Sequence, residues 1–206
     1  MTIFYEFDGK IYANITNKCP CNCRFCIRKN NDSVGENDSL WLEHDPSYEE
    51  IIAAFDAFSK DNIEWLVFCG YGEPMMRAEL LLEVARYVKA NSSLKIRVNT
   101  NGLVSLINPQ FDLYSMRGII DSVSISLNAS TPEKYNEISK PKFGLPSYNS
   151  MLNFATIVQS IIPQVAFTIV DDGLPADEIE ACKNRAEAME IPLRIRHYVT
   201  DNKNYI

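Results

Sequence analysis

The stretch CPCNCRFC, residues 19–26, places four of the chain's six cysteines within eight positions. Thiols at that density either bridge or bind metal, and context separates the two. The N-terminal stretch MTIFYEFDGKIYANIT carries no basic flank followed by an apolar block, so it does not read as an export signal. The expected location is therefore cytoplasmic, where a reducing environment turns clustered cysteines toward metal. Cys21 and Cys23, one residue apart, are also badly placed for an unstrained bridge. Structural zinc calls for four Cys or His ligands, usually as two pairs. Here Cys69 and Cys182 are isolated, and the two histidines, His44 and His197, lie far apart in sequence. A ferredoxin run, C-x2-C-x2-C with a fourth cysteine before proline, does not match either. A third selection takes Cys19, Cys23 and Cys26 in the spacing C-x3-C-x2-C, with the aromatic Phe25 before the last cysteine.

Three other stretches gather polar groups and glycine: GYGEP (70–74), NTNG (99–102) and SISLNAS (124–130). A glycine allows close backbone approach, and a carboxylate such as Glu73 can hold a cationic amine. Asn101-Gly102 is also a good turn pair. Ser124 and Ser126 would share one face of a strand, with Asn128 just beyond.

The elements that must position these residues alternate along the chain. IFYEFDGKIYANI reads as two short strands around the turn pair Asp8-Gly9. Strands are expected over Ile11–Thr16, Glu64–Cys69, Lys95–Asn99, Ser122–Leu127, Val165–Val170 and Leu193–Tyr198. Helices are expected over Pro46–Ser59, Met76–Ala90, Asn108–Met116, Pro132–Ser139, Tyr148–Ile161 and Pro175–Met189. Asp45 or Ser47 would cap the first helix, and Pro132 follows Thr131 as an N1 proline should. Six β/α units imply an α/β fold with a parallel sheet and right-handed crossovers, either an open sheet or a partial barrel. Ligands then bind at the carboxyl ends of the strands, where the cysteine loop and the three polar stretches all fall. No repeat or linker interrupts the chain, so one domain over 1–206 is expected. The polar stretch RKNNDSVGENDS (28–39) reads as a surface loop.

With 20 basic and 27 acidic residues the net charge is −7. Such a surface does not attract phosphate backbones, which argues against non-specific nucleic-acid binding. KIR (95–97) and RIRH (194–197) concentrate cations and read as strands with the polar face outward. No run of eighteen apolar residues offers a membrane span.

On C-x3-C-x2-C with Phe25, and on the strand-end motifs behind it, the chain resembles the radical S-adenosylmethionine (SAM) superfamily. The resemblance implies a partial (β/α)6 TIM-like barrel, laterally open, with a short N-terminal hairpin. It also implies a [4Fe-4S] cluster on Cys19, Cys23 and Cys26, with one iron open to the amino and carboxylate groups of SAM, leaving Cys21 as the spare thiol. Gly72 and Glu73 match the last two positions of the Gly-Gly-Glu motif that serves the SAM amino group, and Pro74 fits after them. Tyr71 departs from the usual glycine. At the end of the fourth strand of the barrel, Ser126 and Asn128 would meet the ribose hydroxyls and the carboxylate of SAM. Lys140, in ISKP, stands where many relatives place an arginine, and lysine lacks its bidentate fork. Val170 would lie against the adenine.

The function so implied is reductive cleavage of SAM to a 5′-deoxyadenosyl radical for hydrogen abstraction, with an electron donor of flavodoxin or ferredoxin type. The short length, the extra cysteine and GYGEP resemble the TatD family-associated radical SAM proteins, which suggests a TatD-type hydrolase as a partner. Only VTDNKNYI follows the last strand, so an uncovered mouth and a peptide or protein substrate are expected. The alternatives are a glycyl-radical-activase-like or carboxy-deazaguanine-synthase-like enzyme, in which Thr100 or Asn101 could imitate part of a magnesium site, an enzyme transferring the aminocarboxypropyl group of SAM, and a non-catalytic metal-binding module. For acid–base work only His197 is placed near the mouth.

Overall fold

The computed structural model describes residues 1–198. Residues 199–206, the stretch VTDNKNYI on which the expectation of an uncovered mouth rests, lie outside the described residues. Strand β1 (Phe4–Phe7) pairs antiparallel with β2 (Lys10–Ala13). The two residues between them, Asp8 and Gly9, both have positive φ, 48° and 63°. That is the geometry of a tight turn whose twist matches its strands.

From β2 onward every strand is parallel to its predecessor: β3 (Trp65–Phe68), β4 (Lys95–Thr100), β5 (Ser122–Ser126), β6 (Gln164–Val170) and β7 (Leu193–Arg196). The sheet order follows the chain order, β1 to β7. Crossovers of one hand between successive neighbours carry every helix to the same face of the sheet. The side chains agree. Phe68, Val98 and Val123 sit side by side in register, as do Ile125 and Phe167, and all five are fully buried.

The helices are α1 (Tyr48–Ala57), α2 (Ala78–Asn91), α3 (Val104–Ile107), α4 (Pro132–Ser139), α5 (Pro146–Gln159) and α6 (Ala176–Glu187). α2 buries Leu81, Val84, Ala85 and Val88, and α5 buries Met151, Phe154, Ala155 and Val158. The i, i+3, i+4, i+7 spacing makes one apolar stripe on each. Each large side chain removed from water in this way contributes about 1.5–3 kcal/mol. Thr131 caps α4 ahead of Pro132. The helix expected over 108–116 is absent. Beyond the short α3 only a 3-10 turn at Leu113–Met116 forms there, because Asn108 and Asp112 bond their side chains to the main-chain N–H groups two residues on and hold turns.

The other face of the sheet is polar. Tyr12, Arg97, Asn99, Ser124, Ser126, Thr168, Arg194 and Arg196 line a cavity on it. The loop over 28–39 lies at the surface as expected and is tied down there. Val34 is buried, Leu40 beyond it is buried too, and the Tyr71 hydroxyl bonds the Asn31 carbonyl. Among the described residues no helix is long and apolar enough to cross a membrane.

α1 begins with a reciprocal cap. Ser47 Oγ accepts from Glu50 N at 3.2 Å, and Glu50 accepts from Ser47 N at 2.7 Å. Ser47→Ala is expected to cost about 1 kcal/mol in urea unfolding. An unchanged midpoint would mean that tertiary packing alone sets this helix start.

Candidate active site

The cysteine loop leaves β2 and is held from three sides. Along α4's carboxyl end, Asn22 N donates to Ser139 O at 3.0 Å and Arg24 N donates to Ile138 O at 2.9 Å. Lys142 N donates back to Pro20 O at 2.7 Å, and Cys21 forms a bridge pair with Pro141. From within, Arg28 spends its guanidinium on the carbonyls of Asn17, Tyr71 and Cys21. A backbone with this many carbonyls turned to one cation is pinned without regular secondary structure.

The four thiols differ. Cys21 is buried, accepts from Asn101 Nδ2 at 3.7 Å, and donates its own proton toward Cys19 and Cys23. That hydrogen bonding is the chief cause that holds the Cys19 and Cys23 thiols below the ordinary thiol range. Ser139 assists at Cys23, after burial has opposed it. Cys21 itself is pushed far up, first by the same two hydrogen bonds. Cys26 is raised by burial, with Arg28 opposing. The loop thus eases ionisation at Cys19 and Cys23 and opposes it at Cys21 between them. Phe25 is half-buried and packs on the core. Among the described residues no three His, Cys, Asp or Glu side chains converge on one point as a single metal ion needs.

The third side is the 70–74 loop. A Cβ on Gly72 would lie 2.2 Å from Thr16 O and 2.7 Å from Lys18 O. Glycine is required here because the chain's own backbone, not a ligand, occupies the space. Glu73 N then donates to Lys18 O at 2.8 Å. The Glu73 carboxylate turns inward: Oε1 accepts from Thr100 Oγ1 at 2.7 Å and Met75 N at 3.0 Å, and Oε2 accepts from Asn101 N at 2.7 Å. Burial raises its pKa to about 7 despite those three donors. Thr100 and Asn101 therefore belong to the site through Glu73, and Asn101 also reaches Cys21.

At the end of β5, Ser126 lines the cavity beside Ser124. Asn128 sits at φ 59° and donates Nδ2 to Ser139 Oγ at 3.0 Å, which places it behind Cys23. Lys140 caps the end of α4 with an exposed side chain and φ 44°, and its carbonyl accepts from Asn22 N at 3.2 Å. Val170 is the half-buried last residue of β6, opposite Arg196. His197 pairs with Asp171 at 2.6 Å and its side chain is 88% exposed, so it is directed to solvent. His44 pairs with Glu50 at 2.9 Å.

The cavity on the inner face has a volume of about 490 Å³, a ligand-sized space. It reaches Ile27, the residue after Cys26, and Cys69, Gly70 and Tyr71 on the neighbouring loop. Its walls correct one expectation. Of the cations in KIR and RIR, the half-buried Arg97 and Arg196 line this space together with the exposed Arg194, whereas Lys95 faces solvent. The alternation was legible, but which face of the sheet the helices cover was not.

Comparison with known proteins agrees with this geometry. The family model described as "Radical SAM superfamily" matches residues 13–186. Human molybdenum cofactor biosynthesis protein 1 is 24% identical over 192 residues, covering 93% of this chain and 28% of that protein. A probable GTP 3′,8-cyclase of Methanocaldococcus jannaschii is 29% identical over 127 residues, covering 62% of this chain and 39% of that protein. The chain thus spans well under half the length of these curated relatives. Among solved structures, Streptococcus suis SuiB bound to SAM superposes with a TM-score of 0.63 at 12% identity, over 94% of this chain and 41% of SuiB. A radical SAM methyltransferase from Sphaerobacter thermophilus gives 0.60 at 15% identity, over 94% and 68%. At these identities the structures establish a shared fold.

Two outcomes follow from the 70–74 loop. Gly72→Ala is expected to lose about 2–3 kcal/mol of stability by overpacking, against about 1 kcal/mol for Gly118→Ala, where φ is +75° but the space is open. Equal losses would show that the Thr16 and Lys18 carbonyls yield. Because Glu73's folded pKa is raised, its contribution is fully present below the usual carboxyl range and lost as pH rises through about 7. Urea unfolding without SAM should therefore weaken by about 3 kcal/mol across that window. Glu73→Gln, less stable at low pH, should lack that slope, and parallel slopes would contradict the assignment.

Proposed function

The chain belongs to the radical SAM superfamily, and on that premise we propose that it is an enzyme holding one [4Fe-4S] cluster through Cys19, Cys23 and Cys26, with SAM at the open iron. The observation that supports this most is the convergence of the cysteine loop with the Gly70–Pro74 and Asn99–Gly102 loops beside a ligand-sized cavity. The donor set fits the group. A cluster takes each thiolate on a different iron, so the three sulfurs need to surround a volume rather than meet at a point. Two of them, Cys19 and Cys23, are shifted toward easier ionisation.

When bound, the cluster would supply the electron that cleaves SAM to a 5′-deoxyadenosyl radical able to abstract hydrogen from a substrate. The chain's own residues would do the positioning. Glu73 Oε2 has a single donor, Asn101 N, which leaves it a lone pair for the amino group of SAM. An ammonium at that place would hold Glu73 ionised in spite of its burial. Gly72 acts by letting the Glu73 loop lie against Thr16 and Lys18. Ser126, facing the cavity, is suited to the ribose hydroxyls, whereas Asn128 acts through Ser139 on Cys23. Lys140, Phe25 and Val170 border the same strand ends, toward the SAM carboxylate, the cluster and the adenine. Cys21 is the thiol that tunes its neighbours and does not itself bind iron.

We read the sheet as a laterally open partial barrel with six parallel strands. Residues of both edge strands, Tyr5 of β1 and Arg194 of β7, line one cavity, which supports curvature of that kind. A flavodoxin or ferredoxin would deliver the electron. A TatD-type hydrolase as a partner rests on the likeness of CPCNCRFC and GYGEP, and a peptide or protein substrate on the open side. The names of the relatives point two ways, to GTP for the cyclases and to a precursor peptide for SuiB, which has also been solved with its peptide SuiA.

The test is iron and sulfide content after anaerobic reconstitution, followed by product analysis with dithionite. About four irons per chain and 5′-deoxyadenosine are expected from wild type and Cys21→Ala. Cys19→Ala, Cys23→Ala and Cys26→Ala should lose both. Zinc in place of iron, or equal dependence on Cys21, would overturn the ligand set, and methylthioadenosine as the product would place the cleavage at the other SAM bond.

A further inference from the structure

The inner cavity is cationic in a chain whose net charge is −7. Arg97 reaches it from the central strand β4, and Arg194 and Arg196 reach it from the edge strand β7. Arg97 stacks on Trp65, with its guanidinium carbon 4.8 Å from the ring centroid, and its Nε is buried with no hydrogen-bond partner among the described residues. Neither Arg97 nor Arg194 forms an ion pair among the described residues. The one carboxylate on the cavity wall, Asp8, is taken at 2.6 Å by Lys10, which lines the same wall. The cations are also close enough to act on one another and on the wall. Burial and then Arg194 depress the Arg97 guanidinium, while Arg196 and Arg97 oppose the burial that raises Tyr12 to about 12.

Like charges gathered in a partly buried space, one of them with an unused donor, cost free energy unless an anion joins them. SAM is a poor candidate for that anion, because its ammonium and sulfonium outweigh its single carboxylate and leave it cationic. A second molecule fits better. Guanidinium forks suit phosphate and carboxylate oxygens, and Arg97 and Arg194, two cations without an ion pair among the described residues, call for more than one negative charge. The hydroxyls of Ser124, Ser126 and Thr168 line the wall nearby, and Tyr5 and Tyr12 offer a stacked pair of rings 5.2 Å apart.

We infer that Arg97 and Arg194 form a recognition site for a multivalent oxyanion carried by the substrate, a di- or polyphosphate or a polycarboxylate, on the wall that Arg196 also lines. The anion site stands on its own geometry; its role in presenting a substrate to the radical rests on the reading above.

The test is isothermal titration of the reconstituted full chain with inorganic pyrophosphate and, separately, with citrate. Saturable binding of at least one is expected, weakening as salt is added. It should weaken about tenfold or more in Arg97→Gln and in Arg194→Gln, the loss of a charge-assisted hydrogen bond. Arg194 is exposed on the edge strand, so that variant keeps the test valid if Arg97→Gln does not fold. Lys183→Gln, on α6 and paired with Glu180, should bind as wild type does. Tighter pyrophosphate binding assigns a phosphate ester, and tighter citrate binding a polycarboxylate. No binding of either anion, or binding equal in both arginine variants and wild type, overturns the site. SAM cleavage that persists while anion binding is absent removes this inference alone. Anion binding without a cluster or SAM cleavage removes the radical reading and leaves the site.

Discussion

One buried carboxylate holds the mouth of this sheet together. Glu73 joins three strand ends: its amide bonds the Lys18 carbonyl after β2, its own loop follows β3, and its oxygens take Thr100 and Asn101 at the end of β4. Putting an ionisable group there is costly, as its raised pKa shows. The cost is partly offset by the three donors, Thr100, Asn101 N and Met75 N, and glycine at 72 lets the loop that carries Glu73 close on the carbonyls of Thr16 and Lys18. The cysteine loop inherits its position from that contact, and Asn101 passes it on to Cys21. The same group is suited to receive a cationic ligand, so the fold and the proposed chemistry draw on one residue.

The rest of the molecule is arranged by the asymmetry of the sheet. Every parallel crossover runs from a strand to its immediate neighbour, which puts the helices together and the apolar stripes of α2 and α5 against one face. The opposite face is left to polar side chains that line a partly enclosed cavity. An acidic chain thereby gathers cations along one wall, where partial burial makes them count for more than the same charges spread over the surface.

Much of this was legible in the residues. The alternation of strands and helices, the Thr131–Pro132 start and the clustering of unusual residues at strand ends all rest on local chemistry, and local chemistry is what a sequence displays. The misses have two causes. The segment 108–116 has a helix-like pattern, but Asn108 and Asp112 bind their own backbone two residues on, a local competition that the pattern does not show. Arg97, Arg194 and Arg196 were read as outward because period-two alternation does not say which face is covered. Tyr71 looked like a departure from a glycine motif; it is a buried anchor that holds the 28–39 loop through Asn31. The close approach at Gly72 is to the carbonyls of Thr16 and Lys18. These last three concern contacts between segments far apart in sequence.

The most direct measurement is the electron paramagnetic resonance spectrum of the anaerobically reconstituted, reduced chain, recorded with and without SAM. The account predicts a [4Fe-4S]+ signal that shifts when SAM is added, because the ligand reaches an iron that no cysteine holds. A signal indifferent to SAM would keep the cluster and remove Glu73 and its neighbours from SAM binding. A chain that takes up no iron would contradict the central claim.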